Sequence, residues 1–244
     1  LEIRNLRKSY GETRALRGMN LRGQSGTIHT VFGENGSGKS TMVKILSGVI
    51  APDAGQVLLA GEALTHFSPR TVARLGIVPV MQEVLVAPNR SVLENIFLGY
   101  DGLIRRRIRR EQRRARAKEV LERITRTPID LDSVTGTLPL AKQQLVVIAR
   151  ALVHDPRILI LDEASAALDI DERETLFAAL RQFVAEGRLV IYISHRVDEV
   201  LSLSDWVTVL HVGRDAGTAS STGLSAERLL EMVSSAPTQE EEHR

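Results

Sequence analysis

Residues 33–41 read Gly33-Glu34-Asn35-Gly36-Ser37-Gly38-Lys39-Ser40-Thr41, and this G-x-x-x-x-G-K-S spacing constrains the chain more than any other stretch. Its glycines let successive backbone N–H groups turn inward with no side chain in the way, a concavity suited to phosphate. Thr27–Phe32 ahead of it reads as a strand, and Met42-Val43-Lys44-Ile45-Leu46 behind it as a helix. The loop therefore runs into a helix N-terminus, itself an anion site. Lys39 is expected to reach the β- and γ-phosphates of a nucleotide, and Ser40 to offer its hydroxyl to Mg²⁺. A glycine-rich surface turn is the plainer alternative, but it has no need of a strand, a helix and a Lys-Ser pair in register.

The 244 residues suffice for one large domain or two small ones. No apolar run is long enough to span a bilayer, and the first residues lack the charged-then-apolar pattern of a signal peptide. The chain opens on Leu1 rather than Met, which reads as a trimmed start. Without cysteine there is neither a disulfide framework nor a thiolate site in this sequence. A net charge of +2 is too small to argue for nucleic acid.

Leu1, Ile3 and Leu6 mark a first strand and residues 14–21 a second, with a turn at Ser9-Tyr10-Gly11-Glu12. Tyr10 reads locally as a half-exposed turn aromatic, although its ring could stack on a nucleotide base. Pro52-Asp53-Ala54-Gly55 is a turn and residues 56–60 a strand. Ser68-Pro69 pairs an N-cap with proline at the first helical position; that helix runs to Arg74 and Gly76 ends it. Residues 77–81 read as a buried strand in which Pro79 points to a sheet edge or a strand end. Gln82 stands where it stops, with an amide able to meet a metal or a water, although by itself a glutamine there reads as an ordinary loop residue. Ser91-x-x-Glu94 is a capping box opening a helix over 92–98. From Arg105 to Lys118 the chain is Arg-rich and reads as a solvated helix face; a nucleic-acid or lipid-headgroup patch is the alternative, weakened by the lack of aromatics. Residues 128–136 form a loop. Leu145, Ile148, Ala149 and Leu152 recur at helical spacing over 142–153, and Pro156 closes that helix.

Arg157-Ile158-Leu159-Ile160-Leu161 is a continuous apolar run, as in a parallel strand buried on both faces, and it ends in Asp162-Glu163. In parallel sheets ligands bind beyond the carboxyl ends of the strands. There Asp162 would hold Mg²⁺ through water and Glu163 would polarise an attacking water. An exposed acidic pair is the alternative, disfavoured by the phosphate loop in the same chain. Residues 171–184 are helical, and Leu189-Val190-Ile191-Tyr192-Ile193 is a second buried strand ending in Ser194-His195. His195 reads equally as a structural strand-end residue or as a partner of the γ-phosphate or the attacking water. Residues 206–212 form a further strand, Gly213 turns it, and the chain runs out in a polar tail, with 238–244 expected to be disordered.

Together these motifs resemble the nucleotide-binding subunit of ATP-binding cassette (ABC) transporters over about residues 1–233. Tyr10 matches the family's adenine-stacking aromatic, against its local reading. Gly33, Glu34, Asn35, Gly36, Ser37, Gly38, Lys39, Ser40 and Thr41 match the phosphate loop. Gln82 matches the glutamine that touches Mg²⁺ and signals toward the membrane subunit. Asp162 and Glu163 match the Mg²⁺-site aspartate and the catalytic glutamate, Ala167-Leu168-Asp169 the loop that crosses the dimer interface, and His195 the switch histidine. More narrowly, the phosphate loop, Ser91-Val92-Leu93-Glu94-Asn95-Ile96-Phe97-Leu98-Gly99 and Tyr192-Ile193-Ser194-His195-Arg196-Val197-Asp198-Glu199-Val200 look like the first cassette of bacterial ribose/galactose-type monosaccharide importers, whose ATPase chain usually carries two cassettes.

The resemblance implies an α/β fold. A RecA-like P-loop core is formed by about 1–82 and 155–215, a helical subdomain is inserted at about 83–154, and a small N-terminal antiparallel sheet holds Tyr10. It implies ATP and Mg²⁺ as ligands, with Ser40, Gln82 and Asp162 at the metal and Lys39, Glu163 and His195 at the chemistry. A second cassette, a membrane permease and indirectly a solute-binding protein would be partners at the cytoplasmic face of a membrane; nucleic acid is not expected. A soluble cassette ATPase acting on ribosomes or DNA is one alternative, and a non-hydrolysing regulatory cassette another. The chain departs from the family signature L-S-G-G-Q, which caps the nucleotide of the opposite cassette: the matching positions are Leu138-Pro139-Leu140-Ala141-Lys142. Pro139 has neither a hydroxyl nor a backbone N–H, and each missing donor to an anion is worth roughly 1.5–3 kcal/mol. Lys142 restores charge but not that geometry. Ala164-Ser165 stands where the family has Pro-Thr, a milder change.

Overall fold

A computed structural model describes residues 1–100 and 109–234. In chain order the strands are β1 (Glu2–Tyr10), β2 (Thr13–Arg22), β3 (Thr27–Phe32), β4 (Ala54–Leu59), β5 (Glu62–Ala63), β6 (Ile77–Val80), β7 (Ile158–Asp162), β8 (Leu189–Ser194), β9 (Trp206–His211) and β10 (Arg214–Ser220). The helices are α1 (Lys39–Leu46), α2 (Pro69–Arg74), α3 (Val92–Ile96), α4 (Arg110–Ile124), α5 (Leu140–Leu152), α6 (Ile170–Ala185), α7 (Val197–Leu203) and α8 (Ala226–Ser234). The strands form two sheets: a small antiparallel one in the order β2-β1-β4-β5 and a main one in the order β10-β9-β3-β8-β7-β6. In the main sheet β3, β6, β7, β8 and β9 run parallel, and β10 returns antiparallel beside β9.

The unbroken apolar runs of β7 and β8 follow from burial on both sides. Leu159, Leu161, Val190 and Tyr192 pack into the core shared with α5 and α6. The alternate residues Ile158, Ile160, Ile191 and Ile193 pack with Met42, Val43 and Ile45 of α1 and with Ile3, Leu6 and Met19 of the small sheet. Period-2 alternation thus sends each strand's side chains into two cores. Pro79 lies in β6, which pairs only with β7 at the edge of the sheet, where a missing N–H costs no ladder bond.

Residues 92–152 supply a helical layer. Ser91 and Glu94 cap α3 reciprocally: Ser91 Oγ accepts from the Glu94 N–H at 3.2 Å and Glu94 Oε2 from the Ser91 N–H at 3.0 Å. The Arg-rich run enters α4 at Arg110; its residues 105–108, like the tail 238–244, lie outside the described residues.

Several expectations need correction. Ser9 and Tyr10 belong to β1, so the hairpin turn is only Gly11-Glu12. Pairing with β1 draws Ala54 and Gly55 into β4, and the capping box opens only the short α3, which ends at Ile96. The chain does not run out after Gly213: β10 pairs with β9, and α8 buries Leu229 against Phe32, Val200, Val207 and Val209. Arg-Asp-Ala-Gly-Thr-Ala-Ser has no apolar alternation, so only the neighbour β9 makes it a strand. α7 was likewise unmarked, its polar first turn disguising the buried Val200 and Leu203.

Candidate functional site

Because β3, β8, β7 and β6 are neighbours and parallel, their carboxyl ends deliver four segments to one edge. These are the Gly-rich loop after β3, His195 after β8, Asp162-Glu163 at the end of β7 and Gln82 just past β6. A cavity of about 500 Å³ opens there, lined by Asn35, Gly36, Gly38, Lys39, Ser40, Thr41, Gln82 and Glu163.

Glycine is required in the loop for two reasons. Gly36 and Gly38 have φ of 83° and 110°, and a Cβ on Gly38 would stand 2.6 Å from the Ala15 carbonyl. Gly33 lies behind the loop, where a Cβ would meet the Leu210 carbonyl at 2.3 Å. Lys39 Nζ donates to the carbonyls of Gly33 and Glu34, both at 2.7 Å, so two of its three donors close the loop on itself. Burial lowers its pKa, opposed by Glu163, Asp162 and Glu34.

The acidic pair divides its roles by environment. Asp162 is 4% exposed; burial and then the Glu163 charge push its pKa up to about 6, against the pull of Lys39. Glu163 adopts φ 49°, a strained region for a non-glycine residue. Its Oε1 meets His195 Nδ1 at 2.9 Å and its Oε2 accepts from Gln82 Nε2 at 3.1 Å. With an ionised carboxylate that contact puts the imidazole proton on Nδ1. Among the described residues no group of three or more His, Asp or Glu gathers as a ready-made metal cage. The oxygen donors Ser40, Gln82 and Asp162 fit a hard cation held jointly with phosphate, and a cation would offset the burial of Asp162.

Other predicted positions stand apart from this cavity. Tyr10, 46% exposed at the end of β1, is not in its lining. Ser37 is buried behind the loop, its carbonyl accepting from the Gly213 N–H at 2.9 Å. Leu138, Pro139, Leu140, Ala141 and Lys142 surround the start of α5, with Pro139 as its N-cap and Leu140 58% exposed. In the Ala167-Leu168-Asp169 loop, Asp169 Oδ1 accepts from the Glu172 N–H at 2.8 Å and caps α6.

Sequence reasoning missed Glu12, Thr13, Arg14, Ala15, Arg17 and Val212, which also line the cavity. They come from the other sheet and from the β9–β10 turn, tied to each other by Arg17 N–H to Gly213 O at 2.7 Å and to the loop by Gly213 N–H to Ser37 O at 2.9 Å. No local motif marks them; the only trace is the pair of glycines, Gly38 and Gly213, that crowd Ala15. On α4, Arg113 lies over the Phe97 ring at 5.1 Å, Arg114 grips Asp132 at 2.7 and 2.9 Å, and Arg123 meets Glu186 at 3.1 Å, so these cations have local partners. Among the described residues no helix is long and apolar enough to cross a membrane.

Residues 16–166 match the family model described as ABC transporter. The chain is 39% identical over 233 residues to the ribose import ATP-binding protein RbsA of Pseudomonas putida, covering 96% of this chain and 46% of that one. It is 43% identical over 244 residues to RbsA 1 of Burkholderia ambifaria, with the same coverage. It thus spans about half the length of the curated relatives it matches. Among solved structures, the dimeric post-hydrolysis state of the ATP-binding cassette MJ0796 bound to ADP and Pi superposes with a TM-score of 0.82 at 27% identity, over 91% of this chain and 99% of that one. The ADP conformation of the cassette MJ1267 gives 0.79 at 26% identity, over 96% and 94%. With its phosphate loop, acidic pair and histidine on the carboxyl edge of that same fold, the chain belongs to the ABC transporter family.

Proposed function

We propose that this chain is the ATP-hydrolysing cassette of an importer for a small solute, a monosaccharide by likeness to the ribose import relatives. Residues 1–233 act as one cassette at the cytoplasmic face of a membrane, beside a permease and a second cassette. The observation that carries the reading is Glu163, held between His195 and Gln82 over a cavity walled by the phosphate loop. The MJ0796 cassette is dimeric in its post-hydrolysis state, which supports a face-to-face pair here.

In this reading the loop amides and Lys39 bind the β- and γ-phosphates, and the exposed ring of Tyr10 stacks on the base. Ser40, Gln82 and Asp162 hold Mg²⁺, which neutralises phosphate charge when bound. Glu163 takes a proton from the water whose oxygen bonds to the γ-phosphorus; the bond to the bridging oxygen breaks, leaving ADP and phosphate. His195 orients Glu163 and the water. Ala167-Leu168-Asp169 faces the partner cassette, and Leu138 to Lys142 cap the partner's nucleotide.

Glu163→Gln keeps the size of the side chain and one of its two acceptor oxygens but not its basicity. Turnover by the assembled transporter in lipid should fall at least ~100-fold with ATP affinity nearly unchanged. Sustained turnover in that variant would refute the assignment.

A further inference from the structure

The edge that carries Glu163 and His195 rests on a second carboxylate which the chemistry does not touch. Glu199, at the start of α7, is 1% exposed. Its Oε1 accepts from Ser165 Oγ at 2.6 Å, and its Oε2 from Tyr192 OH at 2.9 Å and Ser194 Oγ at 2.6 Å. Arg196 Nη1 and Arg173 Nη1 lie 3.5 and 3.9 Å from Oε1, which balances the buried charge. Both guanidinium groups also hold Asp198, at 3.2 and 3.1 Å.

The three hydroxyls are not scattered. Ser165 is two residues beyond Glu163, in a turn closed by the Ala166 N–H donating to the Glu163 carbonyl at 3.1 Å. Ser194 immediately precedes His195, and its Oγ accepts from the Arg196 N–H at 3.1 Å, which closes the backbone around the histidine. Tyr192 lies in β8 beneath both and contacts Ser165 Oγ at 2.8 Å. One carboxylate therefore ties the turn after β7 to the turn after β8. These turns carry the two side chains that meet at 2.9 Å. A residue strained as Glu163 is, at φ 49°, persists only where its surroundings over-determine it. Hydrogen bonds to an ionised acceptor in a dry setting are strong and directional, suited to that task.

We propose that Glu199 is a positioning residue for hydrolysis: through Ser165 and Ser194 it sets the backbone of Glu163 and His195 and so the geometry of their pair. The inference rests on the reading of Glu163 and His195 as the groups at the chemistry. Arg173 extends the same anchor to α6, whose N-cap Asp169 ends the loop assigned above to the partner cassette.

The test compares Ser194→Ala, Ser194→Thr, Glu199→Gln and Glu163→Gln in the assembled transporter in lipid, measuring kcat, KM for ATP, affinity for a fluorescent ATP analogue and Tm. Ser194→Ala removes a single hydroxyl and serves if Glu199→Gln fails to fold. Its kcat should fall about tenfold, with KM and analogue affinity within about twofold of wild type, and Ser194→Thr should recover most of the loss. Wild-type kcat in both Ser194→Ala and Glu199→Gln, beside a dead Glu163→Gln, would overturn the positioning role alone. Active Glu163→Gln would overturn the underlying reading and this proposal with it. A loss that threonine does not recover, or that follows Tm, would make the cluster a stability element and equally overturn the proposal.

Discussion

His29 shows how far a single buried side chain can set a property of the whole fold. It sits in β3 with Nε2 2.8 Å from Thr208 Oγ1, and burial pushes its pKa from 6.5 down to about 4. The folded imidazole therefore takes up a proton less readily than the unfolded one. Its neutral form leaves the native state unpenalised above pH 6.5, and stability is lost as pH falls from there through 4. The shift corresponds to on the order of 3 kcal/mol. Urea unfolding of wild type and His29→Gln between pH 4 and 7 should show the wild type losing that much more than the variant on acidification. At the same scale, Glu163 and Val212 have φ of 49° and 43°, and both line the cavity. Neither strain is visible in residue type, since nothing about a glutamate or a valine announces a left-handed backbone. The phosphate loop was legible because its requirement for positive φ is written as glycine.

Among the elements, α3 depends on its ends. The Ser91–Glu94 box was readable from spacing alone, because a cap is a local exchange of hydrogen bonds. Ser91→Ala should destabilise by ~1 kcal/mol in chemical denaturation. Asn95, one turn on, was not readable. It is fully buried, with Oδ1 accepting from the Ala87 N–H at 2.8 Å and Nδ2 donating to Thr135 Oγ1 at 2.9 Å, while Arg150 Nε donates to its carbonyl at 2.8 Å. It joins the loop before α3, the turn before α5 and α5 itself, so Asn95→Ala should cost more than Ser91→Ala, roughly 2–4 kcal/mol, by orphaning buried groups. The same unfolding curves rank the two, and the opposite order would contradict this account. Strand β10 marks the limit of periodicity: its small polar residues become a strand only because β9 presents an unpaired edge.

For the whole molecule, strand order is decisive. Placing β8 between β3 and β7 sets His195 between the phosphate loop and Glu163, whereas the signature positions gather at the start of α5 in the helical layer. In the face-to-face pair proposed above, that segment would serve the opposite nucleotide. The donors it still offers are the backbone N–H groups at the start of α5, since the Gln143 N–H is already taken by Pro139 O at 3.0 Å. The two composite sites should then be unequal. Pro139→Ser in the assembled transporter is expected to raise nucleotide retention at the opposite site while leaving stimulated turnover within about twofold of wild type. Counting bound nucleotide alongside ATPase rate checks both halves of the expectation. Turnover that appears only with Pro139→Ser would instead make this a nucleotide-holding regulatory cassette.

The chain read on its own yields the phosphate loop, the buried strands ending in Asp162-Glu163 and His195, the caps at Ser68 and Ser91, and an edge or end position for Pro79. Each is a local pattern, set by backbone freedom, by alternation or by a hydrogen bond across a few residues. Tertiary packing is what holds Glu163 between His195 and Gln82, completes the cavity wall with Arg14, Arg17 and Val212, and brings Glu199 beneath both turns. Those contacts join segments up to about two hundred residues apart through sheet order and register, which no spacing along the chain encodes.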